Sequence, residues 1–165
     1  LVRFPPNDFV KDEDLKKRSY MKYQYPGVRF SSVRSQDWDM TEAELEELQN
    51  TLRHADLLIC YASSISIDAA VFDKPVININ FEIKDNGRLS KSPTVFYSMT
   101  HYKKALDYSG IKLVNDEQDL ISWVNRYLEH PDIDREGRRE LVLKQCAFTD
   151  GKSADRIATF LVSHL

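Results

Sequence analysis

Glycine is scarce in this 165-residue chain, with five in all. No Gly-x-Gly-x-x-Gly and no Walker loop is present, so any bound phosphate has to be met by hydroxyls and helix ends. Cysteine is scarcer still. Cys60 closes an apolar run and Cys146 lies in a helical pattern, so both read as reduced, packed thiols of a cytoplasmic protein. The four histidines are scattered, with no His-x-x-x-His and no Cys/His cluster, and we expect no bound metal. Asp37-x-Asp39 has the spacing of a metal-binding acid pair, but no supporting ligands accompany it. No apolar run approaches the roughly 18 residues of a membrane span. Leu1-Val2-Arg3-Phe4-Pro5-Pro6 lacks the long apolar core of a leader. A net charge of -3 excludes a global attraction to nucleic acid or anionic lipid.

What is present is an ordinary globular composition, 42% hydrophobic and 30% charged, in a chain long enough for a core of its own. We read residues 1–165 as a single lobe. The chain opens directly on a strand-like segment without an initiator Met, so we take it as a piece of a longer polypeptide with an earlier lobe. Leu1–Phe4 reads as a short strand stopped by Pro5-Pro6. Residues 12–23 form at most a surface helix, Val28–Val33 a strand, and Asp37–Met40 a loop. Thr41-x-x-Glu44 is a capping box, followed by Leu45, Leu48 and Leu52 on one helical face. Asp56–Tyr61 is a strand, then come a serine-rich turn, a helix through Phe72, and a strand over Val76–Phe81. Residues 82–100 read as a loop, His101–Tyr108 as a short helix, and Ile111–Val114 as the last strand. Asp116–Glu129 has Leu120, Trp123, Val124, Tyr127 and Leu128 inward. Two further helices follow, over Asp134–Gln145 and from an Asp150 cap to Leu165, the last with Ile157, Phe160 and Leu161 on its apolar face. Alternating strands and helices, with uniformly apolar strands, predict an α/β fold: a Rossmann-like parallel sheet flanked by helices. Ligands of such sheets bind beyond the carboxyl ends of the strands.

The serine turn stands at one of those ends. Ser63, Ser64 and Ser66 place hydroxyls and backbone N–H groups at a helix start, a seat for a diphosphate. Asp68, one turn beyond Ser64 on the same face, is placed to accept hydrogen bonds from two ribose hydroxyls. The plain alternative is that Ser63 merely caps the helix and Asp68 is a first-turns acid. On local pattern alone the two readings stand level.

The run Ala55 to Ile77, with its Tyr61-Ala62-Ser63-Ser64 turn, Asp68 and Asp73-Lys74-Pro75-Val76-Ile77, resembles the donor-binding half of GT-B glycosyltransferases. It is most similar to the CDP-glycerol glycerophosphotransferase type, from which it departs by the Ala between Tyr61 and Ser63. Asp37-Trp38-Asp39-Met40 resembles that family's acidic loop, and Phe148 to Ile157 its carboxy-terminal signature. Hydrolysing UDP-N-acetylglucosamine 2-epimerases have a related but glycine-rich turn with paired glutamates, which this chain lacks. The resemblance implies one lobe of a GT-B fold binding a CDP- or UDP-linked donor without a metal. The other lobe, binding the acceptor and supplying the base, would lie outside this chain.

Other residues carry weaker indications. Arg3 is a candidate phosphate partner or an ion-paired arginine. The resembling family has a His-Pro pair near it, where this chain has Pro5-Pro6. His101 is a candidate acid or diphosphate donor, or else a packing histidine. Lys152 and Arg156, four apart on one helix, either reach the donor phosphates or form a solvated face. Arg135, Arg138, Arg139 and Lys144 read first as a solvated basic stripe, and second as a surface for an acidic acceptor or the membrane. The resulting reading is a glycosyl- or glycerophosphotransferase lobe acting on a surface glycan or teichoic-type polymer, in the cytoplasm at the inner membrane face. No nucleic-acid partner is expected. The alternatives are a non-catalytic α/β interaction module and an epimerase-like isomerase.

Overall fold

Strands and helices alternate through most of the chain, as the hydrophobic pattern predicts. The structure is a computed structural model describing residues 1–4, 12–29, 38–82 and 92–164. The Pro5-Pro6 stop, Asn7-Asp8, most of the Val28–Val33 strand, Asp37 and residues 83–91 lie outside them. Two compact units are present, residues 1–51 and 52–165, and each is described by itself.

In the first unit, β1 (Val2–Arg3) pairs in parallel with β2 (Tyr23–Gln24), with α1 (Asp12–Lys16) between them in sequence. β3 (Val28–Arg29) pairs antiparallel with β4 (Trp38–Asp39). This corrects the reading of Asp37–Met40 as a loop: a two-residue strand is made by its partner and has no periodicity of its own to read. α2 (Glu42–His54) starts with the expected capping box. Glu44 N–H donates to Thr41 Oγ1 at 3.3 Å, and Thr41 N–H returns a bond to Glu44 Oε2 at 2.8 Å. Gly27 N–H also donates to Glu44, at 2.7 Å. Bonds from Thr41 and Gly27 hold the Glu44 carboxyl below its ordinary pKa. The predicted leucine stripe holds only in part, because Leu52 is buried while Leu45 is exposed.

The second unit holds the main sheet. β5 (Leu58–Cys60), β6 (Val76–Ile79) and β7 (Lys112–Val114) run parallel in the order β5-β6-β7. After β5 comes α3 (Ile65–Val71); after β6 come α4 (Pro93–Tyr97) and α5 (Thr100–Asp107). α6 (Glu117–Glu129), α7 (Arg135–Gln145) and α8 (Ser153–Ser163) follow β7. α4 corrects the reading of residues 82–100 as a loop. Its start is Ser92 followed by Pro93 in the first turn, a helix-entry signal that is easily missed in a five-residue element.

β6 is covered on both faces. Ile77, Val114 and the ring of Tyr127 form the core, with Leu120, Trp123 and Val124 of α6 packed against them. Full burial of a side chain such as Ile77 contributes roughly 1.5–3 kcal/mol. On the other face, Ser66 and Ala69 of α3 are fully buried, and α3 packs on β5 and β6. Leu128, expected inward on α6, is exposed. β5 is less covered than its apolar sequence predicts, with Ile59 43% exposed.

α7 lies on α3, and its first turns meet the segments that enter β6 and β7. Asp73, in the left-handed conformation at φ 54°, ends the α3 segment. Arg138 donates to Asp73 at 2.9 Å and to the carbonyls of Ile133 and Pro131 at 2.7 and 2.8 Å. Arg138 is therefore no part of a solvated stripe: only 1% of it is exposed. α7 and the loop entering β7 meet backbone to backbone. A Cβ on Gly110 would fall 2.6 Å from the Gly137 carbonyl oxygen. α8 contains no buried residue, and Ile157, Phe160 and Leu161 are exposed. Its N-cap position is Lys152, where Asp150 was expected; Asp150 instead accepts from Lys152 N–H at 3.1 Å. Among the described residues no helix is long and apolar enough to cross a membrane.

Candidate functional site

The carboxyl end of β5 runs through Tyr61-Ala62-Ser63-Ser64 into α3. The first turn closes by bonds from Ser66 N–H to the Ser63 carbonyl at 3.2 Å and from Ile67 N–H to the Ser64 carbonyl at 2.9 Å. Ser63 and Ser64 are exposed. Ser64 makes no side-chain capping bond, and Ser63 Oγ accepts only a long 3.4 Å bond from Ile65 N–H. Neither hydroxyl is consumed by the helix in the way a strong N-cap would be. Asp68 is exposed on the same helix, and partial desolvation raises its pKa above the ordinary carboxylate value.

Ser66 stands apart from the other two serines. It is fully buried, and its hydroxyl donates to Asn78 Oδ1 at 3.0 Å. Ser66 does not present its hydroxyl at the surface with the other two; it lies beneath the turn. Cys60 Sγ lies 3.4 Å from both Ser66 Oγ and Asn78 Oδ1. Burial pushes the Cys60 thiol up, and both cysteines are free.

Asn78 continues the network upward. Its Nδ2 donates to the hydroxyl oxygen of Tyr102 at 3.1 Å. The same oxygen accepts from Ser63 N–H, and the Tyr102 hydroxyl donates to the Ser63 carbonyl at 2.9 Å. The phenol is thus fully used, with two acceptor positions and one donor. Desolvation raises its pKa. Tyr97 of α4 packs edge-on to Tyr102, ring centroids 5.2 Å apart, and donates to the Ile79 carbonyl at 2.9 Å. Two phenols thereby tie α4 and α5 to the carboxyl ends of β5 and β6.

The sequence reading singled out His101 and missed its neighbour Tyr102. The His101 ring is exposed and set edge-on to Tyr102 at 5.9 Å, which brings an imidazole next to the residue holding the serine turn. A signal for the network was available: Asn78 stands inside the apolar run Val76-Ile77-Asn78-Ile79, and a polar group there needs buried partners. Nearby, Asn80 Nδ2 donates to Asn115 Oδ1 at 2.8 Å, joining the carboxyl ends of β6 and β7.

The remaining candidates are held by other partners. Arg156 donates to both Asp150 oxygens, at 2.8 and 2.6 Å, and stacks on the Phe148 ring at 3.9 Å. That pairing lowers the Asp150 pKa and raises that of Arg156. These contacts stay within residues 148–156, and none of them joins Arg156 to the serine turn. Lys152 and Arg156 line a shallow hollow with Asp155, Thr159 and Phe160, all of them at or within α8. Arg3 belongs to the first unit, where it donates to Gln24 Oε1 at 2.9 Å. Its Nη2 is buried without a hydrogen bond among the described residues. Among the described residues, no group of three His, Cys, Asp or Glu side chains could hold a metal ion.

The family model described as CDP-Glycerol:Poly(glycerophosphate) glycerophosphotransferase matches residues 34–163. No curated protein and no solved structure gave a match.

Proposed function

The chain belongs to the CDP-glycerol:poly(glycerophosphate) glycerophosphotransferase family, and from that premise we propose that residues 1–165 are the donor-binding lobe of a GT-B transferase. The family implies a nucleotide-linked donor and a teichoic-type polymer acceptor. In our reading the exposed hydroxyls of Ser63 and Ser64 meet the donor diphosphate at the start of α3, and Asp68 accepts hydrogen bonds from the ribose. The acceptor is bound by a further lobe, which supplies the base.

In the transfer, the acceptor hydroxyl attacks the phosphorus that carries the glycerol, and its proton passes to the base. The bond to the bridging oxygen breaks, and CMP departs with the electron pair. Charge then grows on the departing phosphate. The positive end of α3 and His101, which stands beside Tyr102, are the groups of this unit we assign to stabilise it. Arg3, whose Nη2 has no hydrogen bond among the described residues, is a separate candidate for a phosphate contact. Lys152 and Arg156 are secondary candidates, because Asp150 already neutralises Arg156.

The observation that carries this reading is the exposure of Ser63, Ser64 and Asp68 at the carboxyl end of a parallel strand. Titration calorimetry with CDP, CDP-glycerol and UDP tests it. We expect cytidine ligands to bind and Asp68→Ala to lower affinity by roughly 1–3 kcal/mol, through loss of charge-assisted hydrogen bonds. Equal affinity of wild type and variant rejects the role of Asp68. No binding of CDP by the wild type rejects the lobe assignment.

A further inference from the structure

We propose that Tyr102 is the positioning residue of the serine turn, holding it in the form that receives the donor. The inference rests on reading that turn as the donor seat.

Within the turn, the backbone bonds are those of the first turn of α3, from Ser66 N–H and Ile67 N–H. Tyr61, Ser63 and Ser64 are exposed, and the bond that Ser63 Oγ accepts from Ile65 N–H is long, at 3.4 Å. Fixing one residue's backbone costs about 1–2 kcal/mol of conformational entropy, so an exposed turn needs an external constraint to stay ordered. Tyr102 supplies it by bonding both backbone groups of Ser63, 39 residues away in sequence. The phenol is in turn fixed from below by Asn78, whose other end holds Ser66. Each member of this chain is buried or bonded on both sides, which makes the arrangement stiff. One consequence follows for the ligand. Because the Ser63 N–H is taken by Tyr102, the anion is left to meet the exposed hydroxyls of Ser63 and Ser64. A second consequence concerns His101. It stands in the first turn of α5 next to Tyr102, so the same bonds set its distance from the turn.

The test compares Tyr102→Phe with Tyr97→Phe in the full chain. Both lose one buried phenol hydroxyl from the same aromatic pair, but only the first touches the turn. Amide hydrogen exchange should show faster exchange at Ser63 in Tyr102→Phe, by about tenfold or more, with Ile77 and Asn78 still protected. Tyr97→Phe should leave Ser63 unchanged. CDP affinity should fall about tenfold in Tyr102→Phe and stay within about twofold in Tyr97→Phe. Unchanged exchange at Ser63, or equal loss of affinity in the two variants, overturns the proposal. So does faster Ser63 exchange in Tyr102→Phe with CDP affinity unchanged, since the bond is then structural only. If the wild type binds no CDP, the donor reading itself fails and the inference falls with it. Should Tyr102→Phe not fold, 3-fluorotyrosine placed at Tyr102 keeps the shape and the bonds. Its fluorine resonance must then move on adding CDP, and a static resonance with CDP bound overturns the proposal.

Discussion

The two ends of the β5-β6-β7 sheet are both held by buried polar groups, but of opposite kinds. At the amino ends the holder is a charge: the Arg138 guanidinium, 1% exposed, bound to Asp73 and two carbonyls. At the carboxyl ends it is a neutral chain of Cys60, Ser66, Asn78 and Tyr102 reaching up to Ser63. The charged end is closed. Its donors are consumed by protein acceptors, and Gly110 and Gly137 let the backbones of α7 and the β7 entry meet. The neutral end is open, because its network stops one layer below the surface and leaves Ser63, Ser64 and Asp68 exposed. A full charge beneath the turn would either repel an incoming diphosphate or bind it without discrimination. Hydroxyls and an amide fix the geometry without adding charge.

This contrast can be broken by substitutions that separate stability from binding. The largest expected effect is at the closed end. Arg138→Ala leaves a cavity and two carbonyls without partners, and should lower stability by about 3 kcal/mol. Donor affinity, measured where the variant is folded, should stay within about twofold. Lysine should not rescue it, since one ammonium cannot replace the fork that reaches three acceptors. A large loss of CDP binding in folded Arg138→Ala would dissolve the distinction between the ends.

Gly137→Ala comes next. The added Cβ would strike the Ser109 carbonyl, which belongs to backbone and cannot swing aside. A loss of about 1–3 kcal/mol in denaturant unfolding is expected, again without a change in CDP affinity beyond that of Arg138→Ala. The smallest effect lies in the first unit and sharpens the comparison by contrast, since Glu44 holds its cap in the open. Its depressed pKa means that its contribution is present above the ordinary glutamate value of about 4.5 and is lost as pH falls through the lowered one. Glu44→Gln should flatten that acid limb in a thermal-unfolding series between about pH 5 and pH 3, and leave the neutral-pH transition nearly unmoved.

Much of the architecture was legible because it is local. The capping box at Thr41 and Glu44, the extent of α6 to within one residue, and its Leu120, Trp123, Val124 and Tyr127 face all follow from spacing a few residues long. The serine turn was equally plain as a break from an apolar run into hydroxyls. Where spacing misled, a distant partner was responsible. Trp38–Asp39 is a strand only because β3 lies beside it. Leu45 and Leu128 match helical stripes that packing does not use. Ile157, Phe160 and Leu161 form a face with no covering residue among those described.

The sequence alone determined the α/β order, the place where a strand gives way to hydroxyls, and the acid one turn beyond. Those depend on interactions within a turn or two of chain, where composition and period dictate the outcome. Only the tertiary structure decided which serines face outward, that Arg138 is interior, and that Tyr102 holds the turn. These are bonds across 12, 65 and 39 residues. Which hydroxyl or guanidinium finds a partner at such separations depends on how the sheet and helices pack, and no local pattern records it.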